Sequence, residues 1–411
     1  MSDKQGETFR IERLGHLGDG IAPGPVFAPR CLPGEVIQGD AVDDRIDAPR
    51  IVTPSPDRVK APCPHYNTCG GCALMHASDG FVAQWKTSVV KTALAAHGLT
   101  PEFRDIQTSP PQSRRRAVLS ARRGKKGAIV GFHTRRSDTI TAIDKCLLLH
   151  PDILAGLPAI AELTVLGASR KGELSVTIVQ SGVGLDVSVT GGKPLERALE
   201  TQLAEALHRF GFARLSWNGE TVATQAPPAQ SFGRAAVVPP PGSFLQATRE
   251  GEAALLQAVR EIVDGAAHVV DLFAGCGTFT LPLAEHADLL AVEGDGSMLA
   301  ALEAAWRKTQ GLRKVTTETR DLFRNPLFPE DLLAFDAAVI DPPRAGAEAQ
   351  IAQLAQSSVA KVAMVSCNAV SFARDARTLI DAGYRLNWVQ VIDQFRWSPH
   401  IEQVASFTKI P

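Results

Sequence analysis

The sequence predicts an α/β protein whose C-terminal part, residues 244–411, is a doubly wound domain, preceded by a small antiparallel barrel and a mixed α+β central region. Three observations carry this prediction. Beyond the run Pro239–Pro241, short apolar stretches (AAHVVDLF, ADLLAVEG, FDAAVIDPP, AKVAMVSC) alternate with helix-like ones. That is the pattern of a parallel sheet covered on both faces. From Thr8 to Arg58, short β-runs (TFRIERLG, GDGIAPGPVFAP, LPGEVIQGDAVDD) are broken by Gly, Pro and Asp, as in a small antiparallel barrel. Between these regions, strand-like ELSVTIVQ and GLDVSVT accompany one clear helix, PLERALETQLAEALHRFG.

Taken in chain order, the barrel spans residues 1–60, and Pro54, Pro56, Pro62 and Pro64 form a stiff connector. The central region, 61–243, opens on a cysteine cluster and then a helix over Asp79–Gly98 ended by its glycine. In the last domain, helices are expected at TLPLAEHA, around Ser297–Thr309 and over SFARDARTLIDAG.

Composition narrows the class. A chain of 411 residues, 45% hydrophobic and 21% charged, has room for two or three ordinary globular domains. No apolar run approaches membrane-spanning length, and the polar start MSDKQGETFR is no signal peptide, so a cytoplasmic protein with no membrane partner is expected. Nothing marks an obligate protein partner. The net charge of −1 hides a basic stretch: Arg104, Arg114, Arg115, Arg116, Arg122, Arg123, Lys125, Lys126, Arg135 and Arg136 share it with Asp105 alone. Such a stretch is either an ordinary solvated surface or a phosphate-binding face.

The sequence DLFAGCGTF lies where a buried strand turns into a helix, with Gly275 and Gly277 permitting a tight turn and close ligand approach. Glu293 ends the next strand, at the spacing at which an acid binds ribose hydroxyls. The glycines lack the dinucleotide spacing, and Asp271 suits a cationic or zwitterionic ligand, so S-adenosylmethionine is expected rather than NAD. Two further strand ends carry Asp341-Pro342-Pro343-Arg344 and Ser366-Cys367-Asn368, on the edge where open α/β sheets bind ligands. Seven cysteines make an odd count for a disulfide framework. Four of them, Cys63, Cys69, Cys72 and the distant Cys146, could hold an iron–sulfur cluster or a zinc ion, and spacing alone does not choose.

In this order, Phe244-Leu245-Gln246, DLFAGCGTF, AVEG, DPPR, SCN and IEQVASF resemble the motifs of the RNA (uracil-C5)-methyltransferases. The likeness is to their iron–sulfur branch acting on large-subunit (23S) ribosomal RNA, and it covers nearly the whole chain. It implies a class I, Rossmann-like S-adenosylmethionine domain, a TRAM barrel at the N-terminus and a [4Fe–4S] cluster on Cys63, Cys69, Cys72 and Cys146. It implies that Gln246, Phe273, Thr278, Glu293, Asp321 and Asp341 line the cofactor site. Cys367 is then the nucleophile and Glu402 the base. The chemistry needs both, because uracil carbon 5 attacks a methyl group only after a thiolate adds to carbon 6. A base must afterwards remove the carbon-5 proton. RNA is the implied partner, its target base extruded into the pocket. A transfer-RNA uridine and a catalytically inactive RNA-binding protein are the alternatives. Two positions depart from the family pattern: Ala369 stands where proline is common, and Ala247-Thr248 where Val-Asn is usual.

Overall fold

A computed structural model describes residues 7–410. Most of the polar start, Met1–Gly6, lies outside the described residues. No described helix is long and apolar enough to cross a membrane.

The C-terminal sheet has eight strands, in the order Val315–Thr319, Asp288–Glu293, His268–Leu272, Ala337–Ile340, Lys361–Ser366, Gln403–Lys409, Tyr384–Asp393, Glu102–Thr108. The first five are parallel. From His268–Leu272 the chain winds outward one way to Val315, then returns to the other side at Ala337. The strand order therefore reverses between His268–Leu272 and Ala337–Ile340, and ligands bind at such a reversal. Apolar strands make sense here because both faces are covered. Helices Arg249–Ile262 and Gly296–Lys308 share one core with Val269, Val339 and Val404. Glu348–Gln356 and Ala369–Asp381 share another with Val270, Ile340 and Phe407.

Two features differ from the expected all-parallel domain. Gln403–Lys409 runs antiparallel to both neighbours. The segment returning from Tyr384–Asp393 is too short for a crossover, so it can only make a hairpin. In addition, Glu102–Thr108, from the central stretch of sequence, adds the outermost strand beside Tyr384–Asp393, and helix Asp79–Ala95 contributes Val90 and Leu94 to the core beneath. The helix expected at TLPLAEHA shrinks to Thr280–Leu283.

The central sheet has seven strands, with helices Pro151–Gly167 and Arg197–Phe210 packed against it around Trp217. The N-terminal strands form two three-stranded antiparallel sheets, and Ile11, Ala28, Ile37 and Ile46 make their shared core. The basic stretch is largely committed internally. Arg115 is buried against Glu252 and the Gln246 carbonyl. Arg104 pairs with Glu261 over the Trp388 ring, Arg122 with Glu173, and Arg135 and Arg136 with buried Asp19. Lys125 and Lys126 stay exposed.

Candidate active site at the carboxyl edge of the sheet

Every site residue expected in the last domain, apart from Gln246, sits at a strand's carboxyl end or within the turn or loop that adjoins one. At the glycine-rich turn the backbone is left-handed at Phe273 (φ 62°), Gly275 (φ 56°) and Gly277 (φ 90°). A Cβ on Gly277 would come within 2.8 Å of Leu302, so this position needs glycine. A bulky residue in that conformation costs of order 1–3 kcal/mol, and such strain collects at binding loops. Phe273 stacks obliquely on exposed Phe323, ring centroids 5.3 Å apart, giving an aromatic wall for a flat group. Glu293 ties the turn together, accepting from the Gly275 N–H (3.0 Å) and from Gly294 and Asp295. Asp321, an exposed residue, accepts from the Phe323 N–H at 3.0 Å and so orders the segment carrying that ring. Thr278 lies half-buried in the same turn.

Below the turn, Asp271 is fully buried. One of its oxygens accepts from Thr280 at 2.5 Å, and the other has no partner. Burial pushes its pKa up to about 7, against the hydrogen bonds from Thr280. Across the reversal point, burial and then the charge of Asp271 raise Asp341 as well. An orphaned carboxylate oxygen beside a second, half-buried acid is chemistry that suits a cation. A methyl-bearing sulfonium or an α-ammonium group fits it.

The reacting groups come from three loops. Cys367 ends Lys361–Ser366, and Asn368 caps the helix that follows, accepting from the Val370 N–H at 3.0 Å. The same Asn368 donates to the Arg344 carbonyl at 2.8 Å, joining the SCN turn to the DPPR loop. Ala369 is thus the first helical residue, where proline would merely preset the backbone. Thr248 likewise caps Arg249–Ile262 through the Gly251 N–H, a role asparagine fills equally well. Glu402 is buried, just before Gln403–Lys409. Burial and then the charge of Asp341 hold its carboxyl well above the usual range. Burial, Glu402 and Asp341, in that order, push the Cys367 thiol up to about 12, opposed by Arg344. Gln246 donates to Asp341 at 3.3 Å, so the cofactor side and the cysteine side form one network.

Sequence reasoning missed several members. Gln394, Thr280, Phe323 and the buried Lys86 carried no motif signal of their own, although Gln394 lies only eight residues before Glu402 in the same loop.

Away from the edge, Cys63, Cys69, Cys72 and Cys146 all line one cavity of about 410 Å³, together with Arg114, Ser398, Pro399 and His400. Burial and then Cys146, Cys69 and Cys63 raise the Cys72 thiol, so the four sulfurs lie within electrostatic reach of one another. Among the described residues no three such ligands close to the distances of a single bound ion.

A doubly wound sheet with this glycine turn, an acid ending the second strand and a cation cradle at the reversal point defines an S-adenosylmethionine-dependent methyltransferase. Residues 239–409 match the family described as tRNA (Uracil-5-)-methyltransferase. An RNA methyltransferase of Rhizobium meliloti is 43% identical over 98% of this chain and 99% of its own length. The 23S rRNA (uracil(1939)-C(5))-methyltransferase RlmD of Chromohalobacter salexigens is 32% identical over 99% of this chain and 90% of its own. The fold is that of Pyrococcus abyssi tRNA (uracil-54, C5)-methyltransferase, solved with S-adenosyl-L-homocysteine (TM-score 0.77, 21% identity, 99% and 100% of the two chains). The chain belongs to the RNA uracil-5-methyltransferase family, enzymes that methylate carbon 5 of uracil in RNA from S-adenosylmethionine.

Proposed function

We propose that this enzyme methylates carbon 5 of a uridine in 23S ribosomal RNA, through a covalent adduct between Cys367 and uracil carbon 6 that Glu402 resolves. The observation that carries the covalent reading is the convergence of half-buried Cys367 and Asp341 with buried Glu402 on one edge of the sheet, where each acid's charge reaches its neighbour. Bound S-adenosylmethionine supplies an electrophilic methyl group. Gln246, Phe273, Thr278, Glu293, Asp321 and Asp341 hold it, the unpartnered Asp271 oxygen adding a counter-charge.

The Cys367 sulfur, once its proton has passed to solvent, would add to carbon 6, and the electron pair displaced to carbon 5 would take the methyl group as its bond to the sulfonium sulfur breaks and S-adenosylhomocysteine leaves. Glu402 then removes the carbon-5 proton, and the pair returns to expel the thiolate, leaving 5-methyluridine. In the resting site the thiol is protonated, because burial beside two acids disfavours a thiolate. Activation therefore belongs to the RNA-bound state.

Ribosomal RNA is favoured by the relative from Chromohalobacter, which acts on 23S rRNA and aligns with nearly the whole of this chain. The domain reading follows: an OB-like TRAM barrel in 1–60, an iron–sulfur and RNA-binding region in 61–243, and the methyltransferase domain in 244–411. Cys63, Cys69, Cys72 and Cys146 would hold a [4Fe–4S] cluster. Four thiols lining one cavity supply the number of cysteine ligands that such a cluster takes. Its role is to fix the fold, and the methylation calls for no electron transfer. The cytoplasm, where ribosomal RNA is made, is the matching compartment.

The test is incubation with S-adenosylmethionine and unmodified 23S or transfer-RNA transcripts, then mass spectrometry of the nucleosides. We expect 5-methyluridine from 23S RNA alone. Product from transfer RNA alone would overturn the substrate, and none from either would favour an inactive RNA-binding protein. Glu402→Gln should accumulate a protein–RNA adduct on a denaturing gel.

A further inference from the structure

Gln394 has the most informative hydrogen bonds in the site. Its Oε1 accepts from the Ala247 N–H at 2.8 Å, and a backbone N–H can only donate. That single contact fixes the amide orientation. The Nε2 group must then face inward, where it donates to Gln246 Oε1 at 2.5 Å and to Glu402 Oε2 at 3.2 Å. Gln246 is fixed in turn: its oxygen is engaged, so its own Nε2 faces Asp341 Oδ2 at 3.3 Å. The chain runs one way, from the Ala247 N–H through two amides to two carboxyls. Gln394, Gln246 and Glu402 are all buried, with at most 3% of their surface exposed, so water does not compete for these partners.

We propose that Gln394 is the positioning residue for the base, holding Glu402 in the orientation and ionisation state that carbon-5 deprotonation needs, and linking it through Gln246 to the methyl-donor pocket. This rests on Glu402 being the base. A carboxylate accepts from an amide N–H2, whereas a protonated acid does so less well, so the contact favours the ionised base. Other groups act on Glu402 in the opposite sense. Asp341, from the loop after Ala337–Ile340, and Asp271 behind it are acidic; Cys367 is neutral as a thiol, and the Arg344 cation acts on that thiol. Of the groups bonded to Glu402, Gln394 is the one that supports its carboxylate.

The test uses the full-length enzyme and the RNA that accepts methyl in the assay above, in single turnovers from pH 5.5 to 9. A labelled methyl group reports both adduct formation and release of methylated RNA. Gln394→Met keeps the side-chain length and removes the amide. It should slow adduct resolution by about 10- to 100-fold, the worth of one hydrogen bond to a charged group, so that labelled adduct accumulates. Removing the donor raises the base's pKa, so the acid limb of the resolution rate should move to higher pH. Gln394→Glu keeps the acceptor for Ala247, removes the donor and adds a charge; it should move the limb further. Resolution at the wild-type rate with the limb in place would overturn the proposal. So would an equal loss at every pH without adduct, which is what packing damage alone gives. Glu402→Gln separates the two levels. If it blocks resolution while Gln394→Met does not, only Gln394's role falls; if it too resolves adduct normally, the base reading falls and takes this inference with it.

Discussion

Cys367 and the four cysteines of the cavity are separated by one loop, Trp397–Glu402, yet their surroundings follow opposite rules. Around Cys367 the protein supplies every constraint: Asn368 caps a helix and grips Arg344, and two glutamines join two acids to a backbone N–H. Around Cys63, Cys69, Cys72 and Cys146 the thiols line an open volume, and among the described residues the hydrogen bonds to these sulfurs come from the Gly71 and Leu148 N–H groups. The first site is organised before its ligands arrive. The second, if it holds the proposed cluster, takes its geometry from that group. Damage to the first should therefore change rates in a stable protein, whereas damage to the second should change stability first.

The largest effect is expected at Cys367. Cys367→Ala should lower methylation by roughly 10⁴-fold or more, as deletion of a covalent nucleophile does, with cofactor affinity and melting temperature nearly unchanged. Calorimetry with S-adenosylmethionine beside the nucleoside assay checks both halves. A variant that melts early would place Cys367 with the structural cysteines and dissolve the contrast.

Cys72→Ser should do the reverse. We expect loss of iron and inorganic sulfide and destabilisation by several kcal/mol, so that folded enzyme is scarce. Activity per folded molecule should fall much less. Metal analysis alongside thermal melting decides it. A variant of normal stability that has lost its chemistry would give the cavity a part in the reaction.

How far the two regions could be read from sequence follows the same division. Motifs that end parallel strands were legible, because alternating apolar runs reveal where each strand stops and chemistry lies just beyond. Glu102–Thr108 joining the catalytic sheet was not legible: its partner Tyr384–Asp393 lies almost three hundred residues away, and no local pattern encodes that pairing. The basic stretch shows a related limit. Charge counts a residue's sign and not its partner, and Arg115 turns out to be buried against Glu252 under the Gln246 carbonyl. Gln394 and Lys86 were invisible because an amide or an ammonium acquires a role only from what tertiary folding puts around it.

Lys86 tests the boundary between the regions. Fully buried on helix Asp79–Ala95, it donates to Asp393 at 2.5 Å and to the carbonyls of Phe395 (3.0 Å) and His400 (2.9 Å), using all three ammonium protons. It thereby clamps both ends of the loop between the cavity and Glu402, and Ala73 and Leu74 donate to Trp397 in the middle. Lys86→Met leaves Asp393 buried and uncompensated, at a cost of about 3–5 kcal/mol. Lys86→Met combined with Asp393→Asn should recover part of that stability without restoring the clamp. If it also restored the wild-type rate of adduct resolution, the loop would need no clamp from the cysteine side.

The smallest effect is a pH dependence of cofactor binding. Asp271 titrates near 7 in the ligand-free enzyme because it is buried, and Asp341 is raised with it. Each has a folded pKa above its unfolded value near 4, so whatever stability the two contribute is present below that value and lost as pH rises toward 7. A bound sulfonium or ammonium reverses the preference, stabilising the carboxylates and releasing protons. Affinity for S-adenosylmethionine should therefore rise by up to about tenfold per group between pH 6 and 8, since one pKa unit corresponds to a tenfold change. S-adenosylhomocysteine lacks the sulfonium charge and should show the shallower slope. Calorimetry in two buffers of different ionisation enthalpy counts the protons released. Equal slopes for the two ligands would mean that the acids answer to the ammonium group alone, and a flat profile for both would remove them from the cation cradle.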